Sequence, residues 1–508
     1  MNRTTRWAIV TILLLGGLNL VFLWYSPFDL SGDEAHYWDW SRRPAICYYS
    51  KGPMVAYAIW ISTHLLGHTT FTVRLPAVLL SAATLVLLYI FTVRMFRSEL
   101  AGLIAILLLA AAPMINVGGT LMTIDVLLCF FSVLAILCVW EAVERNRPAY
   151  WLLAGIAMAM GILSKFTGVM LVPGVFAFLL LSRPDRGVLK KPYPYMFVAL
   201  ALIAFLPVLY WNAAHNWVTF RHVAALGEGR VPHFLNPIFF LDFVATQLGL
   251  MSPLIFIILV VGLWLSLGRA WRGDRKHLFV QCIALPVILF YLLLSFHVRI
   301  LPNWPVLGYL PAMVGVGAVI VEKIEAWRGL PRGRALQRRV VAGILLGVLL
   351  SVLGRFPAVL YAMKFPPASL PSSRLEGWRE LGERVGQVVA RMGGNDKVFI
   401  FCDSYQTTGE TAFYTEGHPI AYCEPPINRR LNQYDFWPGC DKFIGKNAIY
   451  VGKMSAGQAR YLKLAFESIK EDLPPFEVVR GGKVIRSLTI YKCYRFKGFP
   501  QAGGATTY

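Results

Sequence analysis

The residues able to do chemistry in this chain gather in a few short stretches. One reads Ser31-Gly32-Asp33-Glu34-Ala35-His36-Tyr37-Trp38-Asp39-Trp40-Ser41 and continues as Tyr48-Tyr49-Ser50-Lys51-Gly52-Pro53-Met54. It brings carboxylates, an imidazole, phenols and an ammonium into one segment. On a helix, Asp33, His36, Tyr37 and Trp40 share a face, because positions three and four apart lie one above the other. Asp125 follows Gly118-Gly119-Thr120, and Lys165 stands alone in Leu163-Ser164-Lys165-Phe166. Further along come Asn212 and His215 in Trp211-Asn212-Ala213-Ala214-His215, then His297, Arg299 and Asn303 in His297-Val298-Arg299-Ile300-Leu301-Pro302-Asn303. Each has a plainer reading. Asp33 could only cap a helix, Trp38 and Trp40 could be interfacial anchors, Lys165 could reach back toward water, and the loop cations could be solvated.

Taken together, the groups suit one reaction. Lysine and arginine at a membrane face bind a phosphate at the head of a lipid and stabilise it as it departs with developing charge. A carboxylate nearby takes the proton from an acceptor hydroxyl or amine. Tyr37, Tyr49 and their neighbours would flank a sugar in the same cavity. The expected chemistry is transfer of a glycosyl group from a lipid phosphate. There is no Gly-rich phosphate loop, HExxH or CxxC, so no cofactor is expected and a divalent metal has no motif to hold it.

The elements that must position these groups are membrane helices. Hydrophobic residues are 56% of the 508, charged residues 15%, against roughly 25% charged in an average soluble domain. The mean hydropathy is +0.55. This excludes a disordered chain and a compact soluble enzyme. Apolar runs near the ~20 residues needed to cross a bilayer occur at 7–25, 72–93, 100–117, 120–140, 150–163, 166–182, 195–212, 237–267, 278–296, 303–321 and 340–361. The eighth is long enough to hold a bent piece. The spacing therefore predicts an α-helical polytopic membrane protein with about eleven spans. The first run leads to Tyr25-Ser26-Pro27-Phe28 with no small-residue cleavage site and reads as an uncleaved anchor.

The net charge of +21 invites a nucleic-acid reading, but its distribution rejects it. Of the 29 Lys and Arg up to Tyr361, 20 fall in alternate gaps between apolar runs, from Arg3 and Arg6 to Arg338 and Arg339. That pattern puts the N-terminus in the cytoplasm. Every candidate site residue then lies on the outer side, and the first outer loop is 28–71. Residues 54–66 there read as an interfacial helix. An odd span count leaves 362–508 outside as well. There, helical spacing covers 375–392 and 456–470, Val398–Phe401 and Ala448–Val451 read as buried strands, and Gly481-Gly482 suggests a hairpin. The division expected is a transmembrane domain, 1–361, and a small α/β outer domain, 362–508. Cys402, Cys423, Cys440 and Cys493 lie in the latter, where an oxidising compartment permits a disulfide.

These motifs resemble a family. Gly32–Trp38, Tyr48–Met54, Val73-Arg74-Leu75-Pro76, Leu163–Thr167, Pro207–Asn212, Pro302–Pro305 and Asn432–Pro438 look like bacterial glycosyltransferases related to protein O-mannosyltransferases (glycosyltransferase family 39) and to the lipid A aminoarabinose transferase. The resemblance implies a GT-C fold, a polyprenyl-phosphate sugar donor and inverting, metal-independent transfer at the bacterial inner membrane. It implies a lipid A, glycan or protein acceptor. By resemblance Asp33 is the catalytic carboxylate, and Glu34, its neighbour, orients or assists it. Lys51 holds the donor phosphate, with Lys165 and Arg299 as further basic positions and Asp125 as a second acidic one. His36, where the aminoarabinose transferase has arginine, and Gly52, where it has proline, depart from that pattern. Two other readings remain open: a transporter or flippase of lipid-linked sugars, and a non-catalytic binding component for them.

Overall fold

The computed structural model describes residues 2–228, 235–366, 370–424, 430–472 and 474–500. Eight helices among them are long and apolar enough to cross a membrane, from Arg3–Tyr25 to Pro331–Arg355. Two bent pairs bring the number to ten: Glu99–Ala111 with Pro113–Thr120, turning by 78°, and Phe166–Leu181 with Arg183–Lys190, turning by 114°. Pro148–Ser164 has 17 residues, at the lower limit of about 17 for a span; the expected eleven is reached only by counting it. The long run 237–267 is two helices, Pro237–Met251 and Pro253–Trp271. Ser252 at φ 68°, followed by Pro253, which has no N–H to continue a helix, makes the break.

The breaks sit where the chain needs polar groups. Lys165 lies in a non-helical gap between Pro148–Ser164 and Phe166–Met170. Asp125 is in the first turn of Ile124–Arg145. Asn303 precedes Val306–Ala326. These three residues close on one another, as described below.

The C-terminal part carries a six-stranded mixed sheet: β1 (Val398–Cys402), β2 (Ala421–Cys423), β3 (Asn447–Gly452), β4 (Phe466–Glu471), β5 (Phe476–Arg480) and β6 (Lys483–Phe496), in the order β2-β1-β3-β6-β4 with β5 on β6. β1, β2 and β3 are parallel and buried along nearly their whole length, as parallel strands covered on both faces require. Gly481 and Gly482, at φ 53° and 73°, form the two-residue turn between β5 and β6, a geometry that favours glycine at both positions. The helix expected over 456–470 stops at Ala465 and becomes β4. Helical spacing continued past that point, but Phe466 is buried opposite Phe496 of β6 and Ser468 pairs Tyr494, so sheet pairing overrides local propensity. All eight cysteines are free thiols. The anticipated disulfide is therefore absent, and Cys402, Cys423, Cys440 and Cys493 are instead packed in the sheet core.

One hydrophobic core joins the first outer loop to this sheet. Leu30, Ala35, Trp38 and Val55 pack with Trp378, Leu381, Val398, Phe413 and Ile490 in a single buried cluster. Trp38 and Trp40 are 0% and 1% exposed, so neither is an interfacial anchor. A Cβ on Gly409, in the helix Tyr405–Tyr414, would come within 2.9 Å of the backbone of Ala35 and His36, so only glycine lets the two helices touch there. Asp29 Oδ2 accepts from the backbone N–H of Trp378 at 2.8 Å and of Arg379 at 3.3 Å. It caps a helix that begins 349 residues later in the chain.

Candidate active site

Ser31 opens the first outer helix, Gly32–Ser41, and Glu34 completes a capping box: Ser31 Oγ accepts from Glu34 N at 3.3 Å and Glu34 Oε2 accepts from Ser31 N at 2.9 Å. Asp33 is therefore not the cap, and its side chain is left for other work. Glu34 has a different task from the one expected. It is fully buried and receives Arg74 Nε at 2.9 Å and Nη2 at 2.8 Å, with Met122 N donating to Oε1 at 2.9 Å. Arg74 spends its remaining donors on the carbonyls of Phe28 and Asp29. Glu34 does not line the cavity beside Asp33. It anchors the helix Gly32–Ser41 to the helix Thr70–Phe96, so of the two roles expected for it, assisting and orienting, the structure supports the orienting one.

The helix face that remains opens into a cavity of about 470 Å³. Asp33, His36, Tyr37 and Trp40 form one wall; Tyr49, Ser50 and Lys51 form the next; His222 adds an edge. The far wall comes from the C-terminal part: Ser404, Tyr405, Gln406, Arg430, Leu431 and Asn432. Tyr405 Oη donates to Asp33 Oδ1 at 3.0 Å. Gln433 Oε1 accepts from Tyr49 N at 2.6 Å, fixing the loop that carries Lys51. A Cβ on Gly52 would fall onto the carbonyl of Leu163. The departure from proline at that position thus lets the Lys51 loop press against the break that holds Lys165.

Electrostatics separate the cations. Lys165 Nζ is 2.6 Å from Asp125 Oδ1, and Asn303 Nδ2 donates to Asp125 Oδ2 at 2.7 Å. Lys165 is paired. Arg299 is largely exposed and 3.0 Å from Asp242, so it is not on the cavity wall. Lys51 has no carboxylate within ion-pair distance among the described residues. Burial, and after it the neighbouring Lys165, push its ammonium below the usual lysine value. Burial raises the Asp33 carboxyl above 3.8, opposed by the Tyr405 hydrogen bond and by Lys51. The His36 imidazole is held neutral, its pKa lowered to about 3 by burial, and its Nε2 has no protein partner. An arginine in this pocket would add a charge that this chain does without.

Several expected residues lie elsewhere. Asn212 is fully buried; its Oδ1 accepts from Thr219 N at 3.0 Å and its Nδ2 donates to Val208 O at 2.9 Å. His215 stacks on Trp211, centroids 3.9 Å apart. His297 is outside the cavity lining. Asn212 and His215 are thus corrected from cavity walls to struts behind it, and His297 and Arg299 from cavity residues to loop groups outside its lining. Asp125 and Asn303 line a second cavity of about 340 Å³, whose other walls are mostly apolar, including Leu85, Leu109, Ile115, Val117, Val306 and Leu310. Sequence reasoning missed Tyr405, Gln406, His222 and Arg430. Only the Asn432–Pro438 motif hinted that the tail reaches the site. Among the described residues no three His, Cys, Asp or Glu side chains cluster as a metal site would need.

Comparison with solved structures follows this geometry. ArnT from Cupriavidus metallidurans in the apo state aligns over 96% of this chain and 98% of that one, with a TM-score of 0.63 and 16% identity. The fold is that of ArnT. Its undecaprenyl phosphate-bound form aligns with a TM-score of 0.62, at 16% identity over 96% of this chain and 97% of that one. An Archaeoglobus fulgidus oligosaccharyltransferase shares the fold more loosely, at 0.52 and 13% identity over 90% of this chain and 70% of its own. Residues 50–211 match the dolichyl-phosphate-mannose-protein mannosyltransferase family. The lipid A galacturonosyltransferase RgtD of Rhizobium johnstonii is 29% identical over 299 residues, 58% of this chain and 61% of that protein. An undecaprenyl phosphate-alpha-4-amino-4-deoxy-L-arabinose arabinosyl transferase of Pseudomonas aeruginosa is 25% identical over 290 residues, 54% of this chain and 51% of its own length. The chain thus resembles GT-C membrane glycosyltransferases, while its matches span only about half to three fifths of these curated relatives.

Proposed function

We propose that this multi-pass membrane protein is an inverting glycosyltransferase. It moves a sugar from a polyprenyl-phosphate donor to a glycolipid acceptor of the lipid A type at the outer face of the inner membrane. The observation that carries the reading is one cavity in which a solvent-accessible, hydrogen-bonded carboxylate, Asp33, faces the same space as Lys51, a desolvated ammonium with no carboxylate partner among the described residues. The relatives named for lipid A and for undecaprenyl-phosphate sugars support the choice of donor and acceptor. The N-terminus is cytoplasmic in this reading and the sheet domain is outside, as the loop charges require.

The reaction follows from the geometry. The donor phosphate binds Lys51, with Arg430 on the far wall of the same cavity. The polyprenyl chain enters the apolar cavity that begins at Asp125. Asp33 takes the proton of the acceptor hydroxyl as its oxygen attacks the anomeric carbon from the face opposite the phosphate. The bond from that carbon to the phosphate oxygen breaks, and polyprenyl phosphate leaves with the electron pair, its added charge met by Lys51. Cationic side chains perform the role a metal ion would otherwise take.

Purified protein in detergent, given a panel of polyprenyl-phosphate sugars and lipid A, tests this. Release of polyprenyl phosphate with one donor, in the presence of EDTA, is expected. Asp33→Asn should lower it by about 10²-fold or more. Release that survives Asp33→Asn removes the base assignment; no release with any donor removes the enzyme reading and favours transport.

A further inference from the structure

The sheet order places the parallel strands β1 and β3 side by side, and the chain leaves them in opposite directions. From β1 it passes through the helix Tyr405–Tyr414 to β2 at one edge; from β3 it passes through the helix Ala456–Ala465 to β4 at the other. Sheets of this kind bind ligands outside the carboxyl ends of the strands, where the direction reverses. Here Asp403 follows β1 and Lys453 follows β3, and Lys453 N donates to Asp403 Oδ2 at 3.0 Å. A crevice of about 770 Å³ opens between them, walled further by Gln406, Gln458, Arg486 and Ser487.

The crevice wall is rich in unused donors. Among the described residues, the Lys453 ammonium, the Gln406 amide and the Ser487 hydroxyl have no hydrogen-bond partner in the protein. Gln458 commits its Oε1 to Ser455 N at 2.9 Å and keeps its NH₂ group. Arg486 is already committed: Nη1 donates to Glu376 O at 2.6 Å, Nη2 to the carbonyls of Ser373 and Arg374 at 3.4 Å each, and the guanidinium lies 3.7 Å from the Trp378 ring, so it offers the crevice positive charge and not free donors. Such a surface complements a hydroxyl-rich ligand that also carries phosphate or carboxylate groups. It also adjoins the cavity that holds Asp33. Ser404 and Gln406 line both spaces, and Tyr405 between them holds Asp33.

We propose that the crevice between β1 and β3 binds the anionic saccharide head of the acceptor, which crosses the Ser404–Gln406 wall to present its hydroxyl to Asp33. This rests on the glycolipid-acceptor reading above. It assigns acceptor recognition to the C-terminal domain and donor recognition to the membrane part.

The test uses the full-length protein in detergent. Saturation-transfer NMR is recorded with the lipid-free, phosphorylated core oligosaccharide of lipopolysaccharide, and undecaprenyl phosphate binding is measured in parallel. Ser487→Trp fills the crevice from an exposed strand position, and Lys453→Glu reverses its charge. Saturation transfer is expected for the wild type, with affinity at least about fivefold weaker in each variant and undecaprenyl phosphate affinity unchanged. No saturation transfer in the wild type, or equal affinity in both variants, overturns the proposal. Failure of undecaprenyl phosphate to bind the wild type sinks the donor reading instead, and the oligosaccharide result still decides the crevice.

Discussion

In the proposed mechanism Asp33 and Lys51 must be in opposite protonation states to work, and desolvation moves the two pKa values toward one another. Asp33 acts deprotonated, so activity is lost as pH falls through a value above 3.8. Lys51 acts protonated, so activity is lost as pH rises through a value below 10.5. A bell-shaped profile of kcat/KM narrower than those ordinary values is expected, with the alkaline limb missing in Lys51→Ala. Glu34 belongs to stability. Glu34→Gln leaves Arg74 buried without its counter-charge, which should lower unfolding free energy by about 3–5 kcal/mol, read from denaturation in detergent. A Glu34→Gln variant of native stability and low activity would restore a catalytic role. The sequence made the acidic pair visible but could not divide its labour. Adjacent residues on a helix point in different directions, and which one met Arg74 depended on a partner 40 residues away.

At the scale of elements, the contact between Gly32–Ser41 and Tyr405–Tyr414 decides whether the site closes. Glu410 lies in that contact, fully buried, with neither oxygen hydrogen-bonded among the described residues. Burial, with Asp29 and Glu34 nearby, raises its pKa well above 4.5. The folded protein therefore holds a proton that the unfolded chain gives up above 4.5, and stability falls as pH rises from there. Glu410→Gln should flatten that slope and raise the melting midpoint at neutral pH; an unchanged pH dependence would show that Glu410 is ionised and paired in solution. Helices and strands with clear periodicity were legible before any coordinates. Their ends were not. The bends at Ala112 and Ser252 and the switch from helix to β4 at Phe466 reflect proline placement and sheet pairing, which a local pattern does not encode.

For the whole molecule, the loop charges make a prediction about sides. Arg332 and Glu416 are both exposed. In intact cells an impermeant thiol reagent should label Glu416→Cys and not Arg332→Cys; the reverse labelling would invert the topology. The membrane helices were readable because bilayer thickness acts on sequence directly. The far wall of the cavity was not readable, because docking of the tail against the first loop depends on surfaces that no spacing rule reports.

That docking has a consequence for how the protein is made. Asp33 and its partner Tyr405 lie 372 residues apart. At a synthesis rate of roughly 5–20 residues per second, the first half of the site leaves the ribosome about 20–75 s before the second. Until the tail arrives, Trp38 and Ala35 have only the membrane-side part of their core, and Asp33 has no phenol to hold it. A nascent chain interrupted anywhere before the sheet is complete carries an unfinished pocket, so the site is assembled late in synthesis.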